Sequence, residues 1–240
     1  MSFGPGDAQL DAQMISFLHD REELLRYIPV DISDGLLHLA VREFSARVTV
    51  PLGILGDFES GNGFISEQVE AHAVRPLVVG LLGNTLGNLD RRENIFPHDV
   101  RQLLDKDDCL MLDVSLVGKN WTWDSDRKTD VTRYLEGDRR FLATSISRTA
   151  KVSAETAITD FAKYVRVTPG ESDVPGAQTI TIRHSTGKPI CNVRRYDFES
   201  LKNWLSEKNF ELIYQKALFD KEEVSGDAVL LLKPRRERRR

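Results

Sequence analysis

The sequence predicts an α/β fold with a mostly parallel sheet, an antiparallel strand pair at its end and a β-rich lobe before that pair. The first half alternates short apolar runs with helical patterns, which is typical of a parallel sheet. The runs at 77–82 and Cys109–Val117 are almost wholly apolar, as expected of strands covered on both faces. Near the end, the runs Phe210–Phe219 and 228–233 predict the antiparallel pair.

The composition is that of an ordinary globular protein. Its 240 residues include 33 Lys and Arg against 37 Asp and Glu, and 40% of the chain is hydrophobic, which argues against disorder. We see neither an apolar run of about 18–20 residues that would span a membrane nor a signal peptide, and we expect a cytoplasmic protein. The slightly acidic whole does not favour nucleic-acid binding. Cys109 and Cys191 stand far apart and the five histidines are scattered, so we predict no disulfide framework and no metal site.

The elements of the first half follow a regular order. Four strands are predicted, at 26–31, 48–55, 77–82 and Cys109–Val117. Asp34 is expected to cap a helix after the first of them, and a helix containing Val100 is expected after the turn-rich loop 83–88. Pro51 places the second strand at an edge of the sheet.

The second half departs from this alternation. A helical stretch at 131–142 precedes three predicted strands, at 162–168, 179–183 and 189–194. A helix at 196–206 then leads into the closing strand pair. The last residues, 234–240, are strongly basic, and they predict either an anion-binding or nucleic-acid-binding tail or a solvated chain end.

A glycine turn and two acids follow successive strands. Right-handed crossovers bring the carboxyl ends of parallel strands to one edge of the sheet, where ligands bind. The turn Gly4-Pro5-Gly6 would let the backbone approach a ligand closely. A dinucleotide-binding fingerprint has glycine or alanine at the position of Gln9, because the pyrophosphate must approach the helix there. A sulfonium nucleoside has no phosphate, so it does not need that glycine. An unstructured N-terminus with a Gly-Pro turn is the alternative.

Asp31 and the pair Asp57-Phe58 predict contacts with a nucleoside. Asp31 can accept hydrogen bonds from two ribose hydroxyls, although it or its neighbours can equally cap the next helix. The Asp57 carboxylate can accept a hydrogen bond from an adenine amino group, and Phe58 can flank the purine. Gly56-Asp57-Phe58 alone would be interpreted as a turn, but three such features at three strand ends favour a nucleoside site.

Two further positions suggest substrate contacts. The Asn88 amide can both donate and accept, so it can orient an amine or a carboxylate without adding charge. Asn84, in the same loop, is interpreted as a turn former. Trp121 and Trp123 either line a substrate pocket or pack in the interior.

Taken together, these segments resemble the histidine-specific S-adenosylmethionine (SAM)-dependent methyltransferases, which include the ergothioneine-pathway enzyme. The resemblance covers most of residues 3–233. The matching segments are Phe3-Gly4-Pro5-Gly6-Asp7, Tyr27-Ile28-Pro29-Val30-Asp31-Ile32-Ser33, Gly56-Asp57-Phe58, Leu82-Gly83-Asn84-Thr85-Leu86-Gly87-Asn88-Leu89, residues 107–117 and Arg195-Tyr196-Asp197-Phe198. It implies a Rossmann-like class I methyltransferase sheet and SAM as the cofactor.

The resemblance also implies roles for single residues. Gly4 and Gly6 would face the methionine part of SAM, and Asp31 would hold its ribose. Asp57 and Phe58 would hold the adenine.

On the acceptor side, the resemblance implies that Asn88 contacts the amino-acid end of a small substrate. No residue is assigned as a catalytic base, because an amine can lose its proton to solvent before the transfer. The resulting division is a cofactor-binding part at 1–118, a substrate lobe at 119–195, a return to the sheet at 196–233 and a basic tail at 234–240.

Two departures from the family weigh on this prediction. Only three residues precede Gly4, so we expect the chain to lack the family's N-terminal part. The family's imidazole-recognising Glu-x-Ser falls on Cys191-Asn192-Val193, which holds no carboxylate, so the resemblance supports N-methylation better than it supports histidine as the acceptor. A non-catalytic or truncated binding module is the alternative, and a nicotinamide-dependent oxidoreductase is a weaker one because of Gln9.

Overall fold

The structure is a computed structural model. It describes residues 1–19, 26–45, 52–60, 63–90, 93, 96–121, 142–143 and 145–235. Most of the predicted helix at 131–142, the start of the predicted strand at 48–55, Trp123 and the tail beyond Arg235 lie outside the described residues.

A seven-stranded sheet forms the centre of the protein, with the order β3-β2-β1-β4-β5-β10-β9. Its strands are β1 (Ser2–Phe3), β2 (Pro29–Asp31), β3 (Ile54–Leu55), β4 (Val78–Leu81), β5 (Cys109–Val117), β9 (Phe210–Phe219) and β10 (Ser225–Pro234). The first five strands are parallel, and β10 runs antiparallel to both β5 and β9. The predicted sheet, including its antiparallel end, is therefore confirmed.

Strand β1 lies in the middle of this sheet and is only two residues long. Ser2 pairs with Pro29 of β2 on one side and with Gly80 of β4 on the other. Phe3 is fully buried in the main apolar core, between the strands and the helices. A strand thus precedes the glycine turn, and it directs that turn toward the carboxyl edge of the sheet.

Eight helices have defined bounds in the described part of the chain. They are α1 (Gln9–His19), α2 (Asp34–Phe44), α3 (Gly63–His72), α4 (Thr85–Asn88), α5 (Phe96–Leu103), α6 (Ala154–Thr159), α7 (Phe161–Tyr164) and α8 (Phe198–Glu207). None of the helices in the described residues is long and apolar enough to cross a membrane.

Three local predictions need correction. The cap of α2 is Ser33, whose extended backbone lets its hydroxyl accept from the amide of Leu36, and Asp34 is the first helical residue. The turn-rich loop 83–88 contains the short helix α4. The beginning of the predicted strand at 162–168 is helical, because α7 ends only at Tyr164.

The second, antiparallel sheet has the order β6-β7-β8. It consists of β6 (Val165–Pro169), β7 (Gln178–His184) and β8 (Pro189–Arg195). The chain leaving β8 lies along β5, where the amide of Tyr196 donates to the carbonyl of Ser115 at 2.9 Å. This contact holds the small sheet beside the carboxyl half of β5.

Candidate active site

The glycine turn lies at the carboxyl edge of the central sheet. Gly4 and Gly6 have φ values of +60° and +58°, in the left-handed region that favours glycine. A Cβ atom on Gly4 would stand 3.1 Å from Cγ2 of Thr85 and 3.7 Å from Cζ of Phe58, whereas one on Gly6 would meet nothing within 4 Å. The turn is thus packed against the loops after β3 and β4 at Gly4, and it faces open space at Gly6.

Asp31 lies beside this turn at the end of β2. Its carboxylate is buried, and its Oδ1 accepts from the amide of Ser33 at 2.8 Å. Burial raises the pKa of Asp31, while the amides of Ser33, Ile32 and Gly6 favour its charged form. The interaction with Gly6 shows that the first two predicted features meet in space.

Phe58 completes the same corner, and Asp57 lies at its rim. The Phe58 ring makes an edge contact with Phe3, with centroids 5.1 Å apart and planes at 67°. Asp57 is exposed, and its two oxygens accept from the amide of Glu59 at 2.9 Å and the hydroxyl of Ser60 at 2.5 Å. The turn interpretation of Asp57 is therefore correct in geometry, and its carboxylate keeps further lone pairs for a ligand.

The chemistry of this corner fits an adenosyl group. Asp31 and Asp57 are hydrogen-bond acceptors for hydroxyl and amino groups, and Phe58 offers an apolar ring. The open side of Gly6 leaves the backbone accessible to a ligand. The turn lacks the third glycine that pyrophosphate binding requires, since Gln9 occupies that position.

Asn88 lies on the neighbouring loop, at the end of α4. It is exposed, whereas the three preceding residues of α4 are buried. Asn84 is instead committed to the protein: its Nδ2 donates to the carbonyl of Arg194, and its Oδ1 accepts from the amide of Ser115, each at 3.2 Å. Asn84 is thus more than a turn former, since it connects β4, β5 and β8.

A buried polar cluster behind Asn88 was missed at the sequence level. Glu93, Arg194 and Tyr196 are 2%, 5% and 0% exposed. Nε of Arg194 lies 3.2 Å from Oε2 of Glu93, and the Tyr196 hydroxyl donates to Oε1 at 2.7 Å. The resemblance of residues 195–198 to the family was the one signal in the sequence for Arg194 and Tyr196. Glu93 gave no such signal, because it follows the charged run 90–92, a pattern typical of exposed surface.

Asp113 is a third acid at this edge of the sheet, after Asp31 and Asp57. Its Oδ2 accepts from the amide of Gly83 at 3.0 Å, directly after β4. Burial raises the pKa of Asp113, and the nearby Asp227 raises it further. The Asp113 carboxyl group therefore lies against the turn that leads into α4.

The strand order and this edge define the class of protein: a class I SAM-dependent methyltransferase. The comparison with protein families agrees, since the family described as histidine-specific, SAM-dependent methyltransferase matches residues 1–122. The chain belongs to this family, and its cofactor is SAM. A search of curated proteins finds no match.

Solved structures show the same fold. A SAM-dependent methyltransferase from Methanosarcina mazei superposes with a TM-score of 0.51 at 13% identity, covering 98% of this chain and 92% of that chain. A protein from Pyrococcus horikoshii OT3 gives 0.50 at 10% identity, covering 98% and 81%. At these identities the likeness establishes the fold alone.

Proposed function

We propose that this enzyme transfers the methyl group of SAM to a nitrogen atom of a small amino-acid-like substrate. One observation carries the proposal. The glycine turn, the buried Asp31 and the ring of Phe58 converge at the carboxyl edge of the sheet, with Asn88 exposed on the adjacent turn.

On the cofactor side, each residue has a distinct task. Asp31 accepts hydrogen bonds from the ribose, and its burial keeps competing water away from that contact. Asp57 and Phe58 hold the adenine, and Gly4 and Gly6 face the methionine part. Bound SAM supplies an electrophilic methyl group on a sulfonium centre.

On the acceptor side, Asn88 orients the amine or the carboxylate of the substrate. Alignment of the reacting nitrogen and exclusion of water then provide most of the catalysis, and no protein base is assigned. Residues 1–118 form the cofactor-binding part and 119–195 the substrate lobe. Residues 196–233 return to the sheet, and 234–240 form a basic tail.

The structure of β8 supports an acceptor other than histidine. Val193 is buried in an apolar cluster with Ile146 and Phe161, and Cys191 packs against the same cluster. Between them, the Asn192 amide accepts from the Thr181 hydroxyl at 2.8 Å and donates to Asp90 at 3.2 Å. These positions therefore offer no carboxylate to an imidazole N–H.

Calorimetry with S-adenosylhomocysteine (SAH), followed by an acceptor screen, tests the proposal. The purified chain should bind SAH. It should also convert SAM to SAH in the presence of one member of a panel of free amino acids and their amines. Histidine is the internal comparator, and it should be a poor acceptor. Absence of SAH binding at high concentration would contradict the cofactor site, and efficient turnover of histidine alone would contradict the acceptor proposal.

A further inference from the structure

The side chain of Arg194 holds the turn that carries Asn88. Its Nη1 donates to the carbonyl oxygens of Leu89 at 2.5 Å and Gly87 at 3.3 Å, the residues on either side of Asn88. Carbonyls at the end of a helical turn lack partners within the turn, and a cation there is favourable. The guanidinium therefore donates hydrogen bonds to both of these carbonyls, and the Asn88 side chain stays exposed.

Glu93 fixes the guanidinium in turn. Its carboxylate pairs with Nε of Arg194 and accepts from the hydroxyls of Tyr196 and Ser172 and from the amide of Asp173. A buried ion pair is held in a single arrangement when further hydrogen bonds satisfy its remaining oxygens, because the unpaired alternatives carry a high desolvation cost. The turn thus rests on a rigid polar support.

The main chain of residue 194 contacts the same turn. Its carbonyl accepts from Nδ2 of Asn84, and a Cβ atom on Gly87 would stand 2.8 Å from that carbonyl oxygen. Strand β8 therefore meets the turn through both its side chain and its backbone, with no room for a larger residue at 87.

From these contacts we infer that Arg194 is a positioning residue for the methyl acceptor. It fixes the orientation of Asn88, and it couples the acceptor-binding turn to the β6-β7-β8 sheet. The inference rests on the proposed role of Asn88. A displacement of about 1 Å in a substrate-positioning group can lower a rate by about two orders of magnitude, so a buried support of this kind has catalytic consequences.

The substitution Arg194→Lys separates positioning from folding. Lysine keeps the positive charge that Glu93 requires, but its single ammonium cannot reproduce the planar fork that reaches three carbonyls and a carboxylate. Arg183→Lys is the matched control. Arg183 lies on β7 of the same small sheet, and it donates to Thr168 and to the carbonyl of Gly187, away from the Asn88 turn.

Hydrogen exchange on the SAH complex provides the first measurement. In Arg194→Lys, amide exchange in residues 85–90 should accelerate by about tenfold or more, while the Kd for SAH stays within about twofold of wild type. Arg183→Lys should leave both unchanged. With the acceptor found in the screen, KM for that acceptor should rise in Arg194→Lys and KM for SAM should not.

Unchanged exchange in residues 85–90 of a folded Arg194→Lys protein would overturn the inference. If that variant does not fold, Tyr196→Phe replaces it, since it removes one hydrogen bond to Glu93 and keeps the ion pair. Exchange in residues 85–90 of Tyr196→Phe should then still exceed wild type, and equal exchange would overturn the inference. Hydrogen exchange is measured without an acceptor. It therefore tests the role of Arg194 even if the acceptor screen finds no substrate.

Discussion

The hydroxyl of Tyr196 donates a hydrogen bond of 2.7 Å to Oε1 of Glu93 in the interior of the protein. Burial and the adjacent carboxylate raise the pKa of Tyr196 well above its ordinary value, so the phenol remains a donor at working pH. The two residues are 103 positions apart in the chain. Their contact joins the segment that follows α4 to the residue that follows β8.

The substitution Glu93→Gln should destabilise the protein strongly. It removes the negative partner of Arg194 and leaves the guanidinium buried without a counter-charge, which costs about 3–5 kcal/mol in the free energy of unfolding. Urea denaturation measures the change. Glu199→Gln is the control, because Glu199 is 74% exposed in its pair with Lys202 and should contribute at most about 1 kcal/mol. Equal, small losses in both variants would contradict the buried ion pair.

The substitution Asp31→Asn should weaken cofactor binding. In the proposed cofactor site, it removes the charge that would accept hydrogen bonds from the ribose. Charge-assisted hydrogen bonds contribute about 1.5–3 kcal/mol, so the Kd for SAH should rise by about 10- to 100-fold. Calorimetry measures this affinity. Asp34→Asn is the control, since Asp34 lies three residues away and is exposed. An unchanged Kd in Asp31→Asn would remove this residue from the site.

The substitution Asp31→Asn should also change how the free energy of unfolding depends on pH. The folded state raises the pKa of Asp31 above 3.8, so the folded protein binds this proton more tightly than the unfolded chain does. The contribution of Asp31 is therefore fully present below pH 3.8 and is lost as the pH rises through the raised pKa. Asp31→Asn removes that loss, so its stability relative to wild type should increase as the pH rises from 3.8 toward neutrality. Urea titrations across this range would contradict the assignment if the difference between the two proteins were constant.

The first half of the site was predictable because strand ends converge. Asp31 ends a predicted strand and Phe58 follows another, so a parallel sheet places them at the same edge. The two-residue strand before Gly4 was not predicted, because only three residues precede that glycine. Strand β5 was predicted with correct bounds, since a continuous apolar run lies between polar turns. The predicted roles of these residues remain proposals.

The polar support of the site was not predictable in this way. Glu93 follows three charged residues, a pattern typical of exposed chain, and its partners on β8 are about a hundred positions away. The helix α4 was hidden for a related reason, because glycine and asparagine have low helix propensity and tertiary contacts from Arg194 hold the turn. Pairings that depend on long-range packing leave little trace in local sequence.

The substitution Gly87→Ala should be costly despite its small size. The added Cβ atom would stand 2.5 Å from Oδ1 of Asn84 and 2.8 Å from the carbonyl of Arg194, so the turn and β8 must separate. Overpacking of this kind costs about 1–3 kcal/mol in the free energy of unfolding. Gly63→Ala is the control, since no atom lies within 4 Å of its Cβ position. Thermal and urea unfolding compare the two, and equal stabilities would mean that the turn yields easily.

The substitution Asn88→Ala should affect the acceptor and spare the cofactor. Asn88 is exposed at the end of α4, so its loss leaves the core intact, while the substrate loses one or two hydrogen bonds to the amide. If the lost contact is to a charged amine or carboxylate, the acceptor KM should rise by about 10- to 100-fold, and the Kd for SAH should stay within about twofold. Asn120→Ala is the control, because Asn120 follows β5 and its amide donates to the carbonyl of Glu222. A weakened SAH affinity with an unchanged acceptor KM would instead place Asn88 on the cofactor side, and the coupling through Arg194 would then act on SAM.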